Sequence, residues 1–343
     1  MTGAQRLLAA LALQPVDRTP VMPVLLMQGA RMLGMSLRDY FAHPTRLAEG
    51  QLRLVERFGH DAVFAIPHIV QDVLPWGAGL DFHEDGPPSV NRMVIGRVEE
   101  IPGLRVPEAA THPYLQKSLQ AARALAQAVK GEKLVVGGLI GPFSLPSMLM
   151  GTRRFLELLE DARLHRLYLG PLMEKMLEFT TRWARAQFEA GCDLLVVAEG
   201  MASASILDEA TFLKQAKPVL RRFAEQVRGH LALEWVGEGL PFLHHAKDLP
   251  VAAFLIGESD PVDQARRAIG PQRALVGNLN NLKLIWWKPE RVRFEARRVL
   301  TAAGPGFILA NQGPDMPWQV PDSNIDALIA AARDVAAAHG SGR

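Results

Sequence analysis

Eight short runs rich in β-branched and apolar residues recur along the chain, at Pro20–Met27, Asp61–Ile66, Leu134–Gly141, Asp193–Glu199, Leu231–Gly237, Ala252–Gly257, Arg273–Leu279 and Phe307–Asn311. Nearly every run ends on a polar residue or a Gly/Pro turn, as buried strands do. Between and after them lie segments with apolar residues at three- and four-residue spacing: Thr45–Phe58, His112–Val129, Thr152–Ala162, Leu164–Ala190, Asp208–Arg228, Pro261–Ala268, Lys288–Ala303 and Asn324–Ala338. Phe155, Leu158 and Leu159 show the spacing, as do Leu220, Phe223 and Val227, and it gathers apolar side chains on one helical face. Gly191 closes the long helix before the fourth strand, and Asp322 or Ser323 caps the last helix. Strand–helix alternation repeated eight times predicts an α/β protein, a (β/α)8 TIM barrel in which residues 1–343 form a single domain.

One interval breaks the alternation. From His68 to Pro113 the chain carries the turn Asp85-Gly86-Pro87-Pro88 and a short apolar–polar alternation at Val90–Val94. This predicts an inserted loop or hairpin after strand two, over the barrel mouth. The opening Met1–Leu13 reads as a short amphipathic helix, without the apolar core and cleavage site of a signal peptide. No apolar run is long enough to span a bilayer, so a cytoplasmic location is expected. Gly340–Arg343 is expected to fray.

Composition narrows the function classes. Apolar residues at 48% and charged residues at 22% fit a globular protein and exclude a disordered one. Lys and Arg number 38 against 36 Asp and Glu, a net charge of +2, which gives neither nucleic acid nor a membrane surface a basic face to bind. Cys192 is the single cysteine, which rules out an internal disulfide and a thiolate cluster; preceding a strand, it reads as a small buried hydrophobe. Neither GxGxxG after a strand nor GxxxxGK[ST] occurs, and no Ser-His-Asp triad is legible.

In a barrel the chemistry sits where the strands end. Those ends carry Gln28, His68, Phe143 with Ser144, Glu199, Glu258, Asn280, and then Asn311, Gln312 and Asp315. Strand five differs, because Glu234 interrupts the apolar run Leu231, Leu233, Trp235, Val236. A carboxylate inside a barrel strand is costly unless it is paired, protonated or bound to a metal. Glu199, Glu234 and Glu258 come from nearby strands, and with His68 and Asp315 they offer a cation site or an acid–base set. The structural alternatives are Glu234 turned outward toward an Arg, and Glu258-Ser259-Asp260-Pro261 capping the next helix. Arg31 is placed either to clamp a substrate carboxylate or to pair on the surface. His244-His245 fall on a helix after strand five, away from the mouth, as surface or packing residues. Trp286, Trp287 and Trp318 read as packing or interface aromatics.

Several segments, in this order, resemble the uroporphyrinogen decarboxylase superfamily over essentially the whole chain. They are Arg6-Leu7-Leu8-Ala9-Ala10-Leu11 with Pro15-Val16-Asp17-Arg18-Thr19-Pro20-Val21; Arg57-Phe58-Gly59-His60-Asp61-Ala62-Val63; Asp85-Gly86-Pro87-Pro88-Ser89-Val90; Gly141-Pro142-Phe143-Ser144-Leu145; Ala190-Gly191-Cys192-Asp193; Val276-Gly277-Asn278-Leu279; and Gly306-Phe307-Ile308-Leu309-Ala310. The resemblance implies a (β/α)8 barrel, in agreement with the strand count. It also implies two branches, the tetrapyrrole decarboxylases and the methylcobalamin:thiol methyltransferases of the MtaA/CmuA type. The decarboxylase pattern has R-Q-A-G-R after strand one, where this chain reads Met27-Gln28-Gly29-Ala30-Arg31 and keeps only Arg31. Its aspartate, tyrosine, serine and histidine after strands two, three, four and eight fall near His68, Met148, Gly200 and Gly313-Pro314. Losing that set argues against tetrapyrrole decarboxylation. The methyltransferase branch resembles Ala198-Glu199-Gly200-Met201-Ala202-Ser203 at strand four, but its zinc-binding H-x-C and later cysteine are replaced by Glu234-Trp235-Val236 and Asn311-Gln312-Gly313-Pro314-Asp315.

The resulting expectation is a corrinoid-dependent methyltransferase-like enzyme moving a methyl group from a small methylated substrate, O-demethylation included. Glu199, Glu234 and His68 are the expected catalytic residues. Gln28, Arg31, Phe143, Glu258, Asn280, Asn311 and Gln312 are expected to meet substrate. A divalent metal such as zinc would be held by Glu234, Glu199 and Asp315. The corrinoid would sit on a partner protein, since no D-x-H-x-x-G motif is present, and the chain would pair as a homodimer. The alternatives are uroporphyrinogen decarboxylase and a barrel that binds a ligand without catalysis.

Overall fold

The computed structural model describes residues 1–340, with side chains described as far as Asp334; of the stretch expected to fray, Ser341–Arg343 lies outside the described residues. The described residues form nine strands, interspersed with helices: β1 (Ala62–Phe64), β2 (Gly79–Asp81), β3 (Ser89–Arg92), β4 (Leu134–Ile140), β5 (Leu194–Ala198), β6 (His230–Glu234), β7 (Ala253–Leu255), β8 (Ala274–Leu279) and β9 (Phe307–Asn311). Seven of them form one curled parallel sheet in the order β1-β4-β5-β6-β7-β8-β9, while β2 and β3 make a separate antiparallel pair.

The first expected strand is not a strand. Residues 20–24 are extended and make one ladder bridge, Val21 with Leu309. Met22 N–H donates to Leu309 O (2.8 Å), Leu309 N–H to Pro20 O (2.9 Å), and Asp61 N–H to Val21 O (3.0 Å), so the stretch joins the two edge strands β9 and β1. Pro20 and Pro23 have no N–H to give, and a regular ladder cannot run through them. The buried Asn311 amide substitutes for a strand partner by accepting from Val24 N–H at 2.8 Å. Asp61 fixes the same corner, accepting from Arg6 (2.7 Å), from both Arg18 terminal nitrogens (2.8 Å each) and from Val21 N–H (2.8 Å).

Strand side chains alternate between two apolar layers, as a period of two requires. Ala62, Phe64, Leu134, Val136, Leu194, Val196, Ala232, Leu255, Val276 and Ile308 face inward, and Leu7 and Leu11 of the helix Gly3–Leu11 join them. Val63, Val135, Leu195, Val197, Leu231, Leu233, Phe254 and Leu275 face outward onto helix residues such as Leu119, Phe179, Trp183 and Phe223. Between β1 and β4, the strands β2 and β3 pair antiparallel with Leu80 opposite Val90. Its segment is tied down through Asp72, whose carboxylate accepts from Ile140 N–H (2.7 Å) and Trp183 Nε1 (3.0 Å).

Two expected long helices are divided. The regular part of the first is Gly170–Glu189, and the last part of the second is Lys217–Gln226, each with a proline (Pro171, Pro218) in its first turn. Proline fits a first turn but cannot donate from a helix interior. No helix among the described residues is long and apolar enough to cross a membrane.

Candidate active site

Glu234 is the last residue of β6, two positions beyond Ala232, and therefore points into the sheet interior rather than toward the helices. It is 2% exposed, and neither carboxylate oxygen has a hydrogen-bond partner among the described residues. The outward-facing, Arg-paired alternative is thereby excluded. Burial, reinforced by the Asp315 charge, pushes the carboxyl up to about 8, so it is mostly protonated at neutral pH. Asp315 itself is raised by burial to about 6.

Above Glu234 a cavity of about 260 Å³ opens at the strand ends, with Ser205, Val236, Glu238, Asn281 and Gln312 in its wall. Below it lies an apolar space of about 10 Å³ bordered by Val24, Leu26, Phe64, Val196 and Leu255, room for about one water. Glu234 lines both. Among the described residues, no Lys or Arg lines either one. A larger surface groove of about 880 Å³ runs among the outer helices by Arg57, Arg293 and Asp326 and does not include these residues.

Glu199 does not converge with Glu234. Ala198 is the residue opposite Glu234 in the ladder, and Glu199, one step further, has the outward parity of Leu195 and Val197. Its carboxylate lies under the loop after β4, accepting from Ser144 Oγ (2.6 Å) and Phe143 N–H (3.1 Å). A Cβ on residue 141 would fall on that carboxylate, which is why Gly141 stands there. Burial outweighs these hydrogen bonds and raises Glu199 to about 7. Phe143 thus serves through its backbone; its ring is fully buried edge-on to Phe155.

The other expected residues divide in the same way. His68 is buried with its ring against Phe41 and Phe82, and burial drops it to about 3, so it is neutral at pH 7 and carries no imidazolium proton to give. Arg31 is committed to Trp318 O (2.7 Å) and Asp322 (2.5 Å), and its guanidinium lies over the Trp318 ring. The Gln28 amide donates to Met316 O and Pro317 O at 2.9 and 3.0 Å. Glu258 pairs with Lys283 (2.7 Å) and accepts from Asn280 (2.7 Å), away from Glu234. Gln312 is at the cavity wall and accepts from Glu258 N–H at 2.5 Å. Asp260 caps the helix before it, not the one after it, accepting from Gly239 and Leu240 N–H at 3.1 and 3.0 Å.

Sequence reasoning passed over Asp72, which burial raises to about 8, and Ser205 in the cavity wall; neither carries a local motif. The expected metal set is not gathered. Among the described residues, the one trio of His, Cys, Asp or Glu whose ligating atoms lie within 4.8 Å of one another is Glu209, His244 and His245, outside the cavity. Cys192 is buried, and burial pushes its thiol up to about 12.

A curled parallel sheet flanked by helices is an α/β architecture, and the chain falls within one family that has it. Residues 2–335 match the model of the family described as Uroporphyrinogen decarboxylase (URO-D), and the protein belongs to that family. Relatives differ in their printed activity. The chain is 24% identical over 339 residues to the Methylcobamide:CoM methyltransferase MtaA of Methanosarcina barkeri, covering 95% of this chain and 96% of that one. It is 28% identical over 316 residues to the uroporphyrinogen decarboxylase of Thermus thermophilus, covering 88% of each. A solved methyltransferase from Methanosarcina mazei shares the fold with a TM-score of 0.89 at 24% identity, over 98% of this chain and 99% of that one. Members of the family named here are enzymes, methyltransferases or decarboxylases.

Proposed function

We propose that this protein is a methyltransferase that removes a methyl group from a small methylated donor and passes it to a corrinoid carried by another protein, with Glu234 as the acid. The observation that carries this reading is the unpartnered Glu234 carboxyl, inward-facing and mostly protonated at neutral pH, beneath a small cavity free of Lys and Arg. The cavity opens at the strand ends of the curled seven-stranded parallel sheet, whose edge strands residues 20–24 join. The corrinoid supplies a methyl acceptor when its carrier docks; a cavity of about 260 Å³ suits only the small donor. As the carbon–oxygen bond of a methoxy donor breaks, the electron pair stays on oxygen, and Glu234 gives that oxygen its proton. The Gln312 and Asn281 amides and the Ser205 hydroxyl line the cavity and orient the donor.

Thiolate-type zinc does not fit these residues. Glu234, Val236 and Gln312 stand at the strand ends, the thiol of Cys192 is buried, and Glu199 is engaged by Ser144 and Phe143. No step is routed through a metal.

The decarboxylase reading is favoured by the 28% identity to the Thermus thermophilus enzyme. It asks the mouth to hold a substrate with several carboxylates, which takes fixed cations. Arg31 is already bound to Asp322 and Trp318, and no cation lines the cavity. The test is turnover of methanol, a methoxyarene and trimethylamine with reduced cobalamin as acceptor, beside uroporphyrinogen in a parallel reaction. Demethylation that is lost in Glu234→Gln supports the proposal; formation of coproporphyrinogen overturns it.

A further inference from the structure

Outside the cavity, Glu209 opens the helical stretch after β5, while His244 and His245 lie on the helix Leu240–Ala246 after β6. Their ligating atoms all fall within 4.8 Å of one another. His245 Nε2 is 2.6 Å from Glu209 Oε1, and the two imidazole rings are 3.6 Å apart between centroids. Consecutive residues of a helix normally splay by about 100° around its axis, so regular helix geometry does not by itself bring two neighbouring imidazoles together over one carboxylate. Two imidazoles and a carboxylate are donors of borderline character, matched to zinc rather than to calcium or magnesium, which need more oxygen. Zinc–nitrogen and zinc–oxygen bonds of about 2.0–2.2 Å require only small side-chain adjustments from these spacings. Glu209 and His244 are exposed, which leaves a further coordination position open to water.

We propose that Glu209, His244 and His245 form a zinc-type divalent-metal site that ties the chain after β5 to the helix after β6. Those two segments carry opposite parts of the cavity wall, Ser205 on one and Trp235–Glu238 on the other. They already meet through Glu238 N–H on Ser205 Oγ (2.9 Å) and Ala204 N–H on Glu238 O (2.9 Å). A bound ion would brace the wall from outside, taking no part in the reaction. The assignment does not depend on the reaction proposed for the cavity.

The experiment uses tag-free full-length protein, stripped with chelator and titrated with zinc chloride by calorimetry, with thermal melts as a second readout. Wild type and Glu234→Gln are each expected to bind one equivalent and to melt higher with zinc. The double variant His244→Ala/His245→Ala is expected to fold, as its exposed or half-buried sites allow, and to lose both effects; Glu209→Gln is expected to weaken binding at least tenfold. Absence of saturable binding in wild type overturns the proposal, as does unchanged binding in the double variant. Loss of binding in Glu234→Gln would assign the ion to the cavity and equally overturn it.

Discussion

Replacing Glu234 by Gln removes one ionisable group at nearly constant volume, and the buried site sets the size of the effect. The ordinary value of a glutamate is 4.5, and burial with the Asp315 charge takes Glu234 to about 8. Between those values the folded chain holds a proton that the unfolded chain has released, so stability falls as pH rises. The contribution of neutral Glu234 is fully present below 4.5 and lost as pH rises through about 8. At about 1.4 kcal/mol per unit, the wild type loses about 3 kcal/mol relative to Glu234→Gln between about pH 5 and about pH 8. Asp72, Glu199 and Asp315 are raised by burial as well, but they are common to both proteins and largely cancel in the difference. Urea unfolding of both proteins at several pH values measures it directly. A difference that changes by less than about 1 kcal/mol over that range would mean that Glu234 ionises as easily folded as unfolded, and would refute a desolvated, unpartnered acid.

Asp61→Asn leaves Arg6 and Arg18 facing a neutral amide at a buried corner; a loss of about 3–5 kcal/mol is expected in urea unfolding, as for a broken buried ion pair. Gly141→Ala drives a methyl group into the Glu199 carboxylate and is expected to cost about 1–3 kcal/mol by the same measurement. Cys192, buried and with its thiol raised to about 12, is expected to resist iodoacetamide in the native protein and to react fully in urea, as mass spectrometry would show.

The sheet strands were legible because burial on both faces leaves a continuous β-branched run: β4, β5 and β7 to β9 fall within the expected segments, and β6 begins one residue before its segment, at His230. Pro20–Met27 had the same composition, but two prolines deprive it of ladder donors, and backbone accounting predicts that better than hydrophobicity does. Glu234 was legible as a carboxylate that interrupts a strand. Its separation from Glu199 was not, because opposite faces follow from register between β5 and β6, where Ala198 pairs with Glu234, and a single sequence does not display register. Arg31 and His68 were read from their position after a strand. Their real surroundings come from Trp318 and Asp322 in one case and from Phe41 and Phe82 in the other, contacts that local sequence does not announce.

The most direct test of the central claim is single-turnover methyl transfer to reduced cobalamin by wild type and Glu234→Gln, from about pH 6 to about pH 9. With Glu234 as the acid, the wild-type rate is level at low pH and falls as pH rises through about 8, while the variant is slow throughout, by about 10²–10⁴-fold. Equal rates in the two proteins, or a wild-type rate that climbs through the same range, would contradict the account.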